Sequence, residues 1–113
     1  IDTMNLIKSN VSTLAVGLCA SMAAVILAAG TKNKRCSLPN SEIMIHQVLG
    51  GVEGKASDVQ VQAERILKMK KKMNMMLADI TGKSVKKINK DTEKDYYLNP
   101  KEAIKYGLID KVI

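Results

Sequence analysis

Residues 9–31 read SNVSTLAVGLCASMAAVILAAGT, and no charged side chain falls between Lys8 and Lys32. A charge-free run of this length is long enough to cross a bilayer, which takes about 20 apolar residues. Its small residues would also suit a helix–helix seam in lipid. The texture of the run argues against a span. Ser9, Asn10, Ser12, Thr13 and Ser21 interrupt it, and its character changes midway. Val11–Val16 is short with β-branched positions, like a buried strand, whereas Ser21–Ala29 is rich in Ala and Leu and is followed by Gly30, a helix stop. Gly17–Ala20 is then the turn. Strand, tight turn and buried helix is the preferred reading, and it sets the fold.

On the N-terminal side, Ile1, Met4 and Ile7 fall at helical spacing, so Asp2–Lys8 reads as the end of a helix feeding the strand. On the C-terminal side, Lys32–Asn40 reads as a surface turn leading into a short strand, Ile43–Gln47. Gly50, Gly51 and Gly54 mark an extended excursion. Ser57, with Gln60 three residues on, gives a capping box for a long helix. Val59, Ala63, Ile66, Met69, Met73, Leu77 and Ile80 form its apolar stripe, and Gly82 ends it. A weaker helix is expected over Ser84–Lys90 and a strand over Asp95–Leu98. Asn99-Pro100-Lys101-Glu102 is a helix start with cap, Pro at the first position and Glu at the third, and Gly107 stops that helix. Leu108–Ile113 returns to a strand. Helices alternating with short apolar strands make the class α/β.

The chain has 113 residues, enough for one domain, and 46% hydrophobic with 26% charged residues excludes a disordered tail. It lacks Phe and Trp and has three Tyr, whereas Met reaches seven. It begins at Ile1 in mid-element, as a fragment of something longer would. Net charge is +7, and most of the excess lies from Lys68 onward. A basic patch attracts nucleic acid or anionic lipid. Single-strand binders add aromatic stacking platforms, which a chain with 3% aromatics lacks. Neither nucleic acid nor membrane is therefore an expected partner. The KMKKKMNMM run, Lys68–Met76, reads as a solvated lysine face beside a methionine seam that can contact another subunit. Cys19 and Cys36 are too few for a secreted disulfide scaffold, so a reducing compartment is expected.

Three features carry possible chemistry. Ser21 stands in the first turn of a buried helix, where the next amide, Met22 N–H, could face an oxyanion. Taken alone, such a serine more often caps or packs a turn. His46, the single histidine, ends a strand beside a glycine-rich loop, where a structural role is the commoner one. It cannot by itself support a histidine metal site, and Cys19 with Cys36 lack zinc-ligand spacing. Asp91, Glu93 and Asp95 precede a strand, and composition does not choose among them. A Ser–His–acid set requires convergence in space, in any chain order.

The string GLCASMAAVILAAG, followed by KRCSLPNSEIMIHQ and LGG, resembles the proteolytic subunit of the ATP-dependent Clp protease, and the likeness continues through KDTEKDYYLNPKEAIKYGLIDKVI to the last residue. This resemblance implies a crotonase-like fold of repeated β-β-α units with a protruding handle helix, the handle region covering about residues 48–82. It implies Ser21 as nucleophile, His46 as general base and Asp95, the second acid of a D-x-x-x-D run, as the group orienting it. Met22 N–H becomes an oxyanion donor. The backbone of Val48, Leu49, Gly50 and Gly51 would take an extended substrate as an added strand. Glu93 and Lys94 fall where the family places an acid–base pair at a ring–ring contact.

The implied activity is serine endopeptidase cleavage of unfolded polypeptides inside a barrel of two heptameric rings. Copies of the chain or paralogous subunits would build the fourteen-subunit assembly, and an AAA+ unfoldase would feed it. No cofactor is expected in this subunit, since ATP is used by the unfoldase. The resemblance suits a bacterial cytoplasm or an organelle, plastid stroma or mitochondrial matrix. A non-catalytic scaffold subunit of the same kind of ring is the alternative. Val48 stands for a usual Pro, Leu18-Cys19 for a smaller and more polar pair, and Ala23 for a usual Gly. The family's N-terminal portion, with a second oxyanion amide and the axial loops, has no counterpart in this sequence. Residues 1–113 are thus expected to be a single, incomplete peptidase domain.

Overall fold

The computed structural model describes residues 1–47 and 53–113. The elements run α1 (Asp2–Leu6), β1 (Thr13–Ala15), β2 (Leu18–Ala20), α2 (Met22–Ala28), β3 (Arg35–Ser37) and β4 (Glu42–Ile45). They continue with α3 (Ala56–Thr81), α4 (Val85–Thr92), β5 (Tyr96–Leu98), α5 (Pro100–Tyr106) and β6 (Lys111–Val112). This is a mixed α/β architecture with two small sheets and one long helix. No helix among the described residues is long and apolar enough to cross a membrane.

The charge-free run does make strand, corner and buried helix, with one correction. Leu18–Ala20, expected as a turn, is strand β2, and Val16 and Gly17 make the corner, Gly17 with φ 73°. One sheet has order β1-β3-β6, all parallel, and the other β2-β4-β5, with β4 and β5 antiparallel. Each short chain segment therefore supplies a strand to both sheets: β1 and β2 before α2, β3 and β4 before α3. Ser41 holds the two corners together, its buried hydroxyl donating to Ala15 O at 3.0 Å and accepting from Gly17 N at 3.1 Å.

Helix α2 buries Ala24, Val25, Leu27 and Ala28 against Ile43 and Ile45 of β4, with Leu77 and Ala78 of α3, Ile88 of α4 and Ala103 of α5 closing the core. Thr13 Oγ1 donates to Leu27 O at 2.8 Å and fastens β1 to the end of α2. Gly30 is required there, because a Cβ would stand 2.6 Å from Thr13 Oγ1.

A second correction concerns Lys32–Asn40. Within this expected surface turn, Arg35–Ser37 forms the buried strand β3. Arg35 is 2% exposed and fully engaged: it donates to both carboxylate oxygens of Asp110 and to the carbonyls of Ala28 and Gly107. The guanidinium thus ties the ends of α2 and α5 to β3. Its main partner is 75 residues away, beyond the reach of local pattern.

Helix α3 is 26 residues, about 39 Å long at 1.5 Å per residue. Its cap is Lys55, with no side-chain cap bond, so the expected Ser57–Gln60 box does not form. Starting at Ala56 puts Ser57 inside the first turn, and Gln60 lies 3.5 Å from Glu64 instead. Only Asn74, Leu77 and Ala78 are buried, so the stripe expected from Val59 onward has a partner only in its last turns. The Asn99–Glu102 capping box forms as read, with bonds of 2.8 and 2.9 Å. The final strand is shorter than expected, Lys111–Val112 only.

Candidate active site

Strand β4 is the template of the site. Its parallel pairing with β2 sets Ala20 beside Met44, so the next residue, Ser21, donates its backbone N–H to Met44 O at 3.0 Å. Its antiparallel pairing with β5 sets Ile45 opposite Tyr96. The residues one step beyond that pair, His46 and Asp95, are thereby brought to the same end of the sheet. Gln47 N–H donates to Thr92 O at 2.9 Å and anchors the chain just past His46.

Ser21 sits on a sharp strand-to-helix corner with φ 60° and ψ −124°. Among the described residues only Asn33 is another non-glycine with positive φ. Such a conformation costs about 1–3 kcal/mol and persists where surrounding structure enforces it. Here the enforcement is the β2–β4 pairing on one side and α2 on the other, whose Ala24 and Val25 amides donate to Ser21 O. The corner presents the hydroxyl to His46: Ser21 Oγ lies 2.5 Å from His46 Nε2. His46 Nδ1 lies 3.4 Å from Asp95 Oδ1, within ion-pair reach but longer than a well-made N–H···O bond. The imidazole is largely buried, at 16% exposure, and the Asp95 carboxylate is open to water at 56%.

The structure therefore brings Ser21, His46 and Asp95 into one chain of contacts. Asp91 is engaged elsewhere. It accepts from the Tyr106 hydroxyl at 2.7 Å and pairs with Lys87 at 3.1 Å. Burial, and then the Asp91 carboxylate, push the Tyr106 hydroxyl well above the usual phenol range. Met22 is the first residue of α2, immediately after Ser21. Glu93 caps α4 and Lys94 follows it, both exposed on the turn that leads to Asp95. Val48, Leu49, Gly50 and Gly51 lie outside the described residues.

A cavity of about 350 Å³ opens beside Ser21 and His46. Met22 and Val25 of α2 line one wall, and Met69, Met73, Asn74 and Leu77 of α3 line the other. Met69, Met73 and Leu77 recur every four residues and so share one helix face. Sequence reading takes this seam as a subunit contact and misses that its body-side half walls the cavity. Asn74, buried at 3% exposure, is satisfied by donating its amide to Asn89 Oδ1 of α4. Among the described residues no cluster of three or more His, Cys, Asp or Glu side chains could hold a metal ion.

A serine hydroxyl on a strained corner, an imidazole in contact with it, a carboxylate behind the imidazole and an apolar cavity beside them are an arrangement of the kind that acyl transfer uses. The family model described as Clp protease matches residues 1–113, the whole chain, and the protein belongs to that family of peptidases, resembling its proteolytic subunit.

Proposed function

We propose that the chain is a serine endopeptidase subunit that cleaves unfolded polypeptides through a Ser21–His46–Asp95 triad. The observation that carries this reading is the 2.5 Å contact between Ser21 Oγ and His46 Nε2. His46 Nε2 accepts the Ser21 proton as Oγ attacks the scissile carbonyl. The tetrahedral oxyanion takes a hydrogen bond from Met22 N–H, a donor of a kind whose loss costs about 10²–10³ in rate. His46 then delivers the proton to the departing amine, and the same base activates the water that clears the acyl-enzyme. Asp95 holds Nδ1–H and so fixes which imidazole nitrogen faces Ser21. An apolar side chain of the substrate fills the methionine-lined cavity, and the backbone of Val48–Gly51 takes the substrate as an added strand.

Beyond the single chain, the family supports oligomeric rings. The fuller reading is a barrel of two heptameric rings fed by an AAA+ unfoldase, which alone uses ATP, in a bacterial cytoplasm or an organelle. The repeated pattern β1-β2-α2 and β3-β4-α3, each segment giving one strand to each sheet, supports a crotonase-like fold with α3 as its handle. Glu93 and Lys94 would meet the opposite ring, and covering that turn would shield the exposed Asp95 carboxylate and tighten its 3.4 Å approach to His46. The alternative, a scaffold subunit without turnover, draws on that same open approach.

The test is peptide hydrolysis by the assembled protein and two carboxylate variants. Asp95→Asn lowers kcat by about 10⁴-fold, as expected for loss of the imidazole's orienting acid. Asp91→Asn changes the fold's stability through Tyr106 and leaves the rate largely intact. Equal rates for Asp95→Asn and the parent contradict the triad, and no turnover by the parent assembly selects the scaffold.

A further inference from the structure

Seven methionines and no Phe or Trp make thioethers the chain's main large and flexible apolar groups. Two of the most exposed flank the nucleophile: Met22 is 49% exposed at the start of α2, and Met69 is 44% exposed on α3. Both line the cavity that holds Ser21 and His46, with Met73 half-buried between them. A thioether open to water is oxidised by peroxides, and the sulfoxide formed is polar and chiral where the parent was apolar. Met44, on the template strand β4, is buried at 8% and shielded.

We propose that Met22 and Met69 form a peroxide-modification site that resets which substrate side chains the cavity accepts. The proposal rests on the serine-peptidase reading. In the step, a sulfur lone pair attacks one peroxide oxygen, the O–O bond breaks and an S–O bond forms. The departing hydroxide takes up the proton shed by the transferred oxygen and leaves as water. Sulfur gives up two electrons and hydrogen peroxide accepts them, so no further reactant is needed. The neighbouring thiols compete poorly. Cys36 is buried, and burial pushes the half-buried Cys19 thiol up, which reduces its reactive thiolate. An apolar side chain entering the oxidised cavity meets S=O dipoles that it cannot satisfy. Discrimination of this size in an apolar pocket amounts to about tenfold. Small and polar side chains, which use the cavity less, are spared. Methionine sulfoxide is reducible enzymatically, so the change is reversible.

The experiment treats the assembled protein with hydrogen peroxide, maps the sulfoxides by peptide mass and compares cleavage after Leu with cleavage after Ala. Sulfoxide is expected at Met22 and Met69, and also at Met75, which is 49% exposed but lies in a different groove with Lys68 and Lys72, while Met44 stays reduced. The Leu-to-Ala ratio falls about tenfold. A Met22→Leu, Met69→Leu double variant holds its own ratio through the same treatment whatever its starting rate, whereas Met75→Leu gives no protection. Methionine sulfoxide reductase restores the parent's ratio and a thiol reductant alone does not. Unmodified Met22 and Met69, an equal fall in the double variant, or recovery with thiol alone overturns the proposal. The mass map and a titration with an apolar naphthalene-sulfonate dye need no turnover. A parent that cleaves no peptide therefore fails the peptidase reading, while loss of dye binding on oxidation, or its persistence, still decides the modification.

Discussion

The two ends of α3 are one continuous helix in two different environments. From Asn74 to Thr81 it is packed, with Leu77 at 3% exposure among Val25, Ile45 and the helices of the body, and Asn74 tied to Asn89. From Ala56 to Lys68 it buries nothing, and Val61 and Leu67 stand 60% and 62% exposed. Apolar residues recur along both halves at similar spacing. The difference is that the packed half shares the core with Ile45 of β4 and Val25 of α2, the elements that build the Ser21 corner. A helix stripe therefore states that a face wants cover, while the tertiary fold decides which part of it the chain itself covers. The packed half, together with Met69 and Met73 just before it, walls the site, and the free half from Ala56 to Lys68 is the part that an assembly partner would cover.

That contrast can be broken most forcefully by truncating the same residue type at both ends. Leu77→Ala removes a fully packed side chain and costs about 2–5 kcal/mol by transfer and cavity terms. Leu67→Ala costs the fold less than about 0.5 kcal/mol, as exposed positions do, and shows itself in subunit association instead. Denaturant unfolding and sedimentation of the two variants separate these effects. Similar unfolding midpoints would mean that the helix is buried along its whole length within one chain.

The Arg35–Asp110 pair sharpens what the packed side requires. Arg35 is buried, so Asp110→Asn leaves a guanidinium charge unpaired and costs about 3 kcal/mol near neutral pH. Hydrogen bonds from Arg35 hold the Asp110 carboxyl at about 2, below its ordinary value of 3.8. A depressed folded value contributes stability that is present above the ordinary value and lost as pH falls through the folded one. Stability of the parent should therefore decline between about pH 4 and pH 2 with a component absent from Asp110→Asn. Unfolding curves across that window check it, and parallel pH profiles for the two proteins would deny the pair its role.

The smallest effect is expected at the corner itself. Ser21→Gly relieves a positive φ that glycine adopts freely, so the variant should be more stable by about 1 kcal/mol while losing all peptidase activity. A gain in thermal midpoint with loss of turnover would mark the corner as strain kept for function. Destabilisation by this substitution would place the strain elsewhere.

These contrasts also explain what local sequence could and could not disclose. The β1–α2 unit was readable because the texture of residues 9–31 changes within the run, and the Asn99–Glu102 box because capping acts over three residues. Strand β2 was hidden: three residues, Leu18–Ala20, carry no period, and their strand state comes from pairing with β4. Strand β3 was hidden because a buried arginine reads as surface until Asp110 is brought to it. Ser21, His46 and Asp95 were nameable only through resemblance to a family. The physical reason for their convergence is the register of β4 against β2 and β5, which lies outside any local pattern. The cavity was missed because the Met69–Met73 seam faces the body, and nothing in its spacing says which way it turns.

The triad is tested most directly by a serine-directed fluorophosphonate applied to the assembled protein, with the adduct located by peptide mass. A covalent adduct on Ser21 that disappears in Ser21→Ala, and forms much more slowly in His46→Ala, is the predicted result. Labelling that survives Ser21→Ala, or an unlabelled Ser21 in a protein that still cleaves peptides, would contradict the assignment of this corner as the nucleophile.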